Sequence, residues 1–279
     1  MNITIFAKTL VPQALRATLQ DCRRRIKFYL PRNKSPGKYF CPVCEGNVKR
    51  FTPLPIFYWE ELRKHNSDLR VEDFETINWS AYSCPHCGAA DRDRLYALYL
   101  AETLGNEVPQ SFRVLDIAPA AALSAHIRRK YRISYRTADL YMEGVDDRVD
   151  VTNMRCYGDN SFDAFICSHV LEHIPDDRKA MSELFRILKP GGWGITMVPI
   201  ILIKDEILED FTKTKESERW KYFGQGDHVR VYSRLGFLGR LGETGFLVRT
   251  LNMQHFGLDR LARHGISTRS ALYISKKPL

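Results

Sequence analysis

From residue 113 onward the chain alternates short continuous apolar runs with segments whose apolar positions recur every three or four residues. The runs at 113–117, 133–138, 148–151, 163–167, 194–198, 246–251 and 271–276 predict strands, and the segments near 121–130, 176–188, 215–223 and 232–243 predict helices. Strands that are apolar on both faces and separated by helices need cover above and below, which predicts a parallel sheet between two helical layers. The expected fold class is therefore α/β, a doubly wound, mostly parallel seven-stranded sheet. A further helix is expected from Asp91 or Asp93, carrying Leu95, Leu98, Tyr99 and Leu104.

Upstream the pattern changes twice. In residues 13–30, Leu15, Leu19, Cys22, Ile26 and Tyr29 form one stripe while Arg16, Arg23, Arg24 and Lys27 lie off it, the signature of a basic amphipathic helix. Pro31 and the stretch 33–37 end it as a linker. Residues 39–90, rich in aromatics and acids, are bounded by two cysteine pairs. The expected organisation is a basic helical arm and linker at 1–38, a cysteine module at 39–90, and the α/β domain at 91–279.

Composition changes this picture in one respect. The 279 residues are 44% hydrophobic and carry a net charge of +9, enough for a sizeable core and basic enough to suggest nucleic acid. The arm, however, holds nine Lys/Arg against Asp21, or +8, leaving +1 for residues 39–279. A nucleic-acid partner is thus disfavoured, while the arm suits an anionic membrane surface, a partner protein or its own protein's surface. No run approaches the roughly 18–20 apolar residues that span a bilayer, and no secretory pattern opens the sequence. The expected location is the cytoplasm, with peripheral membrane contact through the arm as an option.

A reducing compartment turns attention from disulfides to metal. Cys41-Pro42-Val43-Cys44 and Cys84-Pro85-His86-Cys87 can each present two thiolates from a tight turn, together the tetrahedral sulfur set that zinc prefers. A redox pair would need only one of the two motifs, and unmetallated core thiols are the third reading. Structural Zn2+ on Cys41, Cys44, Cys84 and Cys87 is expected, with His86 exposed.

Open α/β sheets bind ligands at the carboxyl ends of their strands, and the first strand-to-helix turn is the usual cofactor site. Here that turn reads Asp116-Ile117-Ala118-Pro119-Ala120, with no Gly-x-Gly to cradle a pyrophosphate. A phosphate-free cofactor remains compatible with small alanines. Asp139, closing the second strand, is placed to accept from a ribose diol, and Asp150, closing the third, to meet an adenine amino group.

The block Ser161-Phe162-Asp163-Ala164-Phe165-Ile166-Cys167-Ser168-His169-Val170-Leu171-Glu172-His173-Ile174-Pro175-Asp176-Asp177, followed by Glu183 to Gly192, resembles class I S-adenosylmethionine-dependent methyltransferases. The turn Leu115 to Pro119, the segment Phe223 to Tyr232 and the paired cysteines resemble a subgroup with an N-terminal zinc-ribbon-like cysteine module. The likeness covers roughly residues 40–278. It implies a Rossmann-like methyltransferase fold with S-adenosyl-L-methionine held by the first turn (Asp116, Ala118, Pro119). Asp139 would lie on the ribose, Asp150 and Val151 around the adenine, and Ser168 and His169 near the methionine part and the transferred methyl. Ala120 departs from the acid that relatives often carry there.

Methyl transfer from a sulfonium asks for an acceptor held in line at roughly 3–3.5 Å and, for a hydroxyl, for removal of its proton. A histidine suits that task. His228, with Asp227 beside it to raise its basicity, is the first candidate for general base and His169 the second, while Arg230 is placed to clamp an anionic acceptor. The expected activity is methyl transfer to a small-molecule or glycan acceptor on a hydroxyl oxygen. The alternatives are an RNA methyltransferase gripping its substrate through module and arm, and a cofactor-binding scaffold without catalysis.

Overall fold

The computed structural model describes residues 37–105 and 108–279, so the helix expected over 13–30 lies outside the described residues. An antiparallel hairpin, β1 (Tyr39–Cys41) and β2 (Gly46–Val48), is followed by α1 (Phe57–Lys64) and α2 (Asp91–Thr103). Then come β3 (Arg113–Ile117), α3 (Ala121–Lys130), β4 (Ser134–Asp139), β5 (Asp147–Arg148), β6 (Phe162–Ser168), α4 (Asp177–Ile187) and β7 (Leu188–Met197). The last part runs β8 (Ile200–Ile201), β9 (Leu208–Glu209), α5 (Glu216–Phe223), β10 (Arg230–Ser233), α6 (Arg234–Glu243), β11 (Leu247–Leu251), α7 (Met253–Phe256), α8 (Leu258–Arg263) and β12 (Leu272–Lys276).

Seven strands form one sheet in the order β11-β12-β7-β6-β3-β4-β5. Strands β5, β4, β3, β6 and β7 are parallel, while β12 runs antiparallel to β7 and β11. This is the architecture expected from the sequence, and each predicted run falls on a strand. The third is shorter than expected, since only Asp147–Arg148 pairs with β4, leaving Asp150 and Val151 in the turn that follows. The chain lays β4 and β5 on one side of β3, then returns to place β6 on the other. The order therefore reverses between β3 and β6, where open sheets leave a crevice beyond the strand ends.

Apolar burial explains why these strands are central. Val114, Leu115 and Ile117 of β3 and Ala164, Phe165, Ile166 and Cys167 of β6 are all buried, as continuous runs covered on two faces must be. Helix α4 buries Ala180, Met181, Leu184 and Ile187 on one stripe, and its N-terminus is capped by Asp176, which accepts from Lys179 N at 3.0 Å. At Gly194 in β7 a Cβ would stand 2.1 Å from the Phe165 ring, so only glycine lets the two strands keep this packing. Gly194→Ala is expected to destabilise the fold by about 1–3 kcal/mol through overpacking. A urea midpoint equal to wild type would show instead that the ring yields freely.

The cysteine segment packs into the same core as the sheet, with Val43, Val48, Phe51 and all four cysteines in one buried cluster with Leu95, Leu100 and Val114. Arg94 fixes this joint. Fully buried in α2, it donates to the carbonyls of Ala81, Tyr82 and Ala89 on one side and of His264 and Gly265 on the other, and lies 3.9 Å over the Phe51 ring. A second sheet, β8-β10-β9, was not signalled by the sequence, because its strands of two to four residues are too short for a period to register.

Candidate active site

At the reversal point the carboxyl ends of β3 and β6 turn sharply, and both turns hold a non-glycine residue in the left-handed region: Ala118 at φ 51° and His169 at φ 56°. Such positions cost about 1–3 kcal/mol and cluster where the backbone must be shaped for a ligand. The missing glycine of the first turn is thus replaced by a strained alanine. Each turn is pinned to the neighbouring strand, Ala118 N donating to Ala138 O at 2.9 Å and His169 N to Met197 O at 2.8 Å. Ala118, Pro119, Ala120, Ser168 and His169 are half-buried around this crevice.

The acids divide by function. Asp139, at the end of β4, accepts from Tyr141 N and Met142 N through Oδ1, which leaves Oδ2 without a protein donor among the described residues. That fits a carboxylate held rigidly with one oxygen free for a diol. Asp150 is arranged the same way, with Oδ1 bound by Thr152 N and Oγ1 at 2.8 Å each. Val151 is buried behind it. Asp116 differs: its carboxyl is buried and accepts from the Tyr135 hydroxyl. Burial lifts it to about 7, against the lowering effect of the tyrosine bond. Ser168 Oγ lies 2.8 Å from the hydroxyl of buried Tyr96, which holds the end of β6 against α2.

Beyond His169 the chain makes a single 3-10 turn, Leu171–His173, that gathers the histidines. Glu172 is 0% exposed, and neither carboxylate oxygen has a hydrogen-bond donor among the described residues, although His169 Nδ1 lies 3.4 Å and His173 Nε2 3.9 Å from Oε1. His228 is 4% exposed, its Nδ1 also without a partner among the described residues, and its ring packs edge-on to that of His173 at 4.8 Å. Burial pushes the His228 imidazole down to about 4, and burial with the nearby Arg92 charge lowers His169. Asp227 turns to His173, its Oδ2 3.4 Å from Nδ1, and not to the adjacent His228 as expected, because successive residues leave the backbone in different directions.

Arg230 is not a free clamp. It is 0% exposed, and it donates to the carbonyls of Leu171, Ile174 and Pro175 and to Glu209. With every arm of the guanidinium engaged by protein, Arg230 shapes the 171–175 turn and offers nothing to an anionic acceptor. Glu172 was overlooked in the sequence. The signal was present in the spacing of His169, Glu172 and His173, but only the fold brings His228 to the same point.

The four cysteines of the N-terminal module are buried, with Sγ–Sγ separations of 3.8 Å for Cys41 and Cys87 and 3.9 Å for Cys44 and Cys84. A tetrahedron with metal–sulfur bonds of about 2.3 Å has edges of about 3.8 Å, so donor set and spacing fit a zinc ion. His86 is exposed, as expected.

Residues 96–196, just over a third of the chain, match the family described as methyltransferase domain. Over 111 residues the chain is 31% identical to a sterol 24-C-methyltransferase of Gibberella zeae, covering 34% of this chain and 29% of that protein. Over 57 residues it is 37% identical to the ubiquinone/menaquinone biosynthesis C-methyltransferase of Rickettsia bellii, covering 20% of this chain and 23% of the relative. The matched part thus spans under a third of the length of these curated relatives. Among solved structures it is similar to the [4+2]-cyclase SpnF (16% identity, TM-score 0.47, covering 82% of this chain and 99% of that one). A methyltransferase structure from Archaeoglobus fulgidus is similar at 15% identity and TM-score 0.45, covering 67% and 93%. The match to the methyltransferase domain family runs from within α2 to the end of β7 and takes in both strand ends of the crevice.

Proposed function

We propose that the protein transfers a methyl group from S-adenosyl-L-methionine to a hydroxyl oxygen of a small-molecule or glycan acceptor. The observation that carries this reading is the crevice at the β3/β6 reversal, where the matched family segment supplies both strained turns. S-adenosyl-L-methionine, when bound, supplies an activated methyl on a sulfonium leaving group. The Ala118-Pro119-Ala120 turn would pass along it, Asp139 Oδ2 would accept from the ribose, Asp150 would face the adenine, and Ser168 and His169 would border the methionine end. The imidazoles of His169 and His228 beside the crevice support oxygen as the acceptor atom, since a hydroxyl must lose its proton to react. No helix among the described residues is long and apolar enough to cross a membrane. A structural zinc ion on Cys41, Cys44, Cys84 and Cys87 belongs to this proposal.

Thermal denaturation with and without the cofactor tests the reading. At 100 times its dissociation constant, S-adenosyl-L-methionine should stabilise the fold by about 2.7 kcal/mol, visible as a raised melting temperature. No shift at millimolar cofactor would favour the scaffold alternative. Asp139→Ala should weaken cofactor binding by about 1.5–3 kcal/mol, the range for a hydrogen bond to a charged group. Calorimetric affinity equal to wild type would place the ribose elsewhere.

A further inference from the structure

We propose that Glu172, His173 and His228 form a binding site for a divalent transition-metal ion beside the methyl-transfer crevice, distinct from the cysteine site. One ligand atom from each of the three lies within 4.8 Å of the others. Two histidines and a carboxylate are the donor set of open metal sites that keep positions for water or substrate. The cluster also lacks what a purely structural arrangement would have. Among the described residues, fully buried Glu172 has both oxygens short of a donor and buried His228 Nδ1 is equally unpartnered, whereas buried polar groups in a folded protein are normally satisfied.

The surroundings supply the outer support that such a site needs. Asp227 Oδ2, 3.4 Å from His173 Nδ1, holds that nitrogen as the protonated one, so the Nε2 lone pair faces Glu172. Backbone bonds fix the two halves together: Val229 N donates to Glu172 O at 3.0 Å, and buried Arg230 binds the carbonyls of Leu171, Ile174 and Pro175. His169, 3.4 Å from Glu172 Oε1, connects the cluster to the end of β6 and thus to the crevice. Imidazole nitrogens favour zinc, copper, iron or nickel over calcium or magnesium, which take oxygen shells.

This site deepens the methyltransferase reading and rests on it for its role. An acceptor hydroxyl coordinated to the ion gives up its proton to water more readily, and its oxygen then attacks the sulfonium methyl. The new O–C bond forms as the S–C bond breaks, with the electron pair left on sulfur.

Cobalt separates the two metal sites. Co2+ held by four thiolates gives intense sulfur-to-metal charge transfer, whereas Co2+ held by imidazole and carboxylate gives weak d–d bands alone. Full-length protein stripped of loosely held metal should bind one equivalent of Co2+ that adds only the weak bands, beside any Co2+ that empty cysteines take up with the intense ones. Glu172→Gln should raise the dissociation constant of that equivalent by at least about 100-fold, more than loss of an outer partner would. Absence of the weak-band equivalent, or unchanged affinity in Glu172→Gln, overturns the site. Should Glu172→Gln fail to fold, half-exposed His173→Gln carries the same two outcomes. The cofactor's thermal shift, read on the same samples, keeps the readings apart: cobalt binding without a shift overturns the methyltransferase reading, and a shift without cobalt binding overturns the metal site.

Discussion

Cys41→Ser is expected to release the zinc ion and abolish cooperative unfolding of the whole chain, sheet included. A structural zinc contributes about 10–16 kcal/mol of apparent folding free energy, and a domain's entire stability is about 5–15 kcal/mol. The loss spreads because the cysteines do not sit on a separable appendage. They belong to the buried cluster that contains Leu95, Leu100 and Val114, and Arg94 ties the carbonyls of Ala81, Tyr82 and Ala89 to those of His264 and Gly265 near the C-terminus. Without the ion, three thiols and a serine hydroxyl are left facing one another in the core, and the turns at 41–44 and 84–87 lose the bonds that join them. Metal analysis with near-ultraviolet circular dichroism checks this, and chelation of the wild type, reversed by added zinc, separates metal loss from the serine itself. A Cys41→Ser protein that keeps stoichiometric zinc, or melts as wild type does, would refute it.

What could be read from the chain alone follows the physics of each element. The sheet was legible because parallel strands covered on both faces must be written as continuous apolar runs, and 113–117 and 163–167 are such runs. The cysteine pairs were legible because metal geometry constrains spacing. The place of Asp139 at the end of β4 was legible from the apolar run 133–138 that leads to it. Arg230 and Asp227 were misjudged for a common reason: both meet the 171–175 turn, 50 or more positions away. Neither charge nor local period reports such a meeting. The same holds for Glu172, whose acidic side chain in a helix-like turn reads as solvated until the fold places β10 and His228 over it.

Arg230→Ala should therefore act on stability and on the shape of the site, and not as loss of an anion clamp. The guanidinium is wholly buried among Glu209, Asp177 and three main-chain carbonyls, with Arg240 sharing both acids: its Nη1 bonds Asp177 at 2.5 Å and its Nη2 bonds Glu209 at 3.0 Å. Two arginines against two carboxylates leave the group balanced. Removing one cation leaves a buried negative charge in excess and takes the guanidinium donor from the carbonyls of Leu171, Ile174 and Pro175, and breaking a buried pair in this way costs about 3–5 kcal/mol. Because the freed carbonyls belong to the turn that carries Glu172 and His173, the histidine cluster should loosen while the β3 and β4 strand ends stay in place. A chemical denaturation midpoint should fall accordingly, with cofactor affinity largely retained and turnover reduced at saturating acceptor. A clamp on an anionic acceptor would give the opposite pattern, in which stability and maximal turnover stay near wild type and only the Michaelis constant for the acceptor rises.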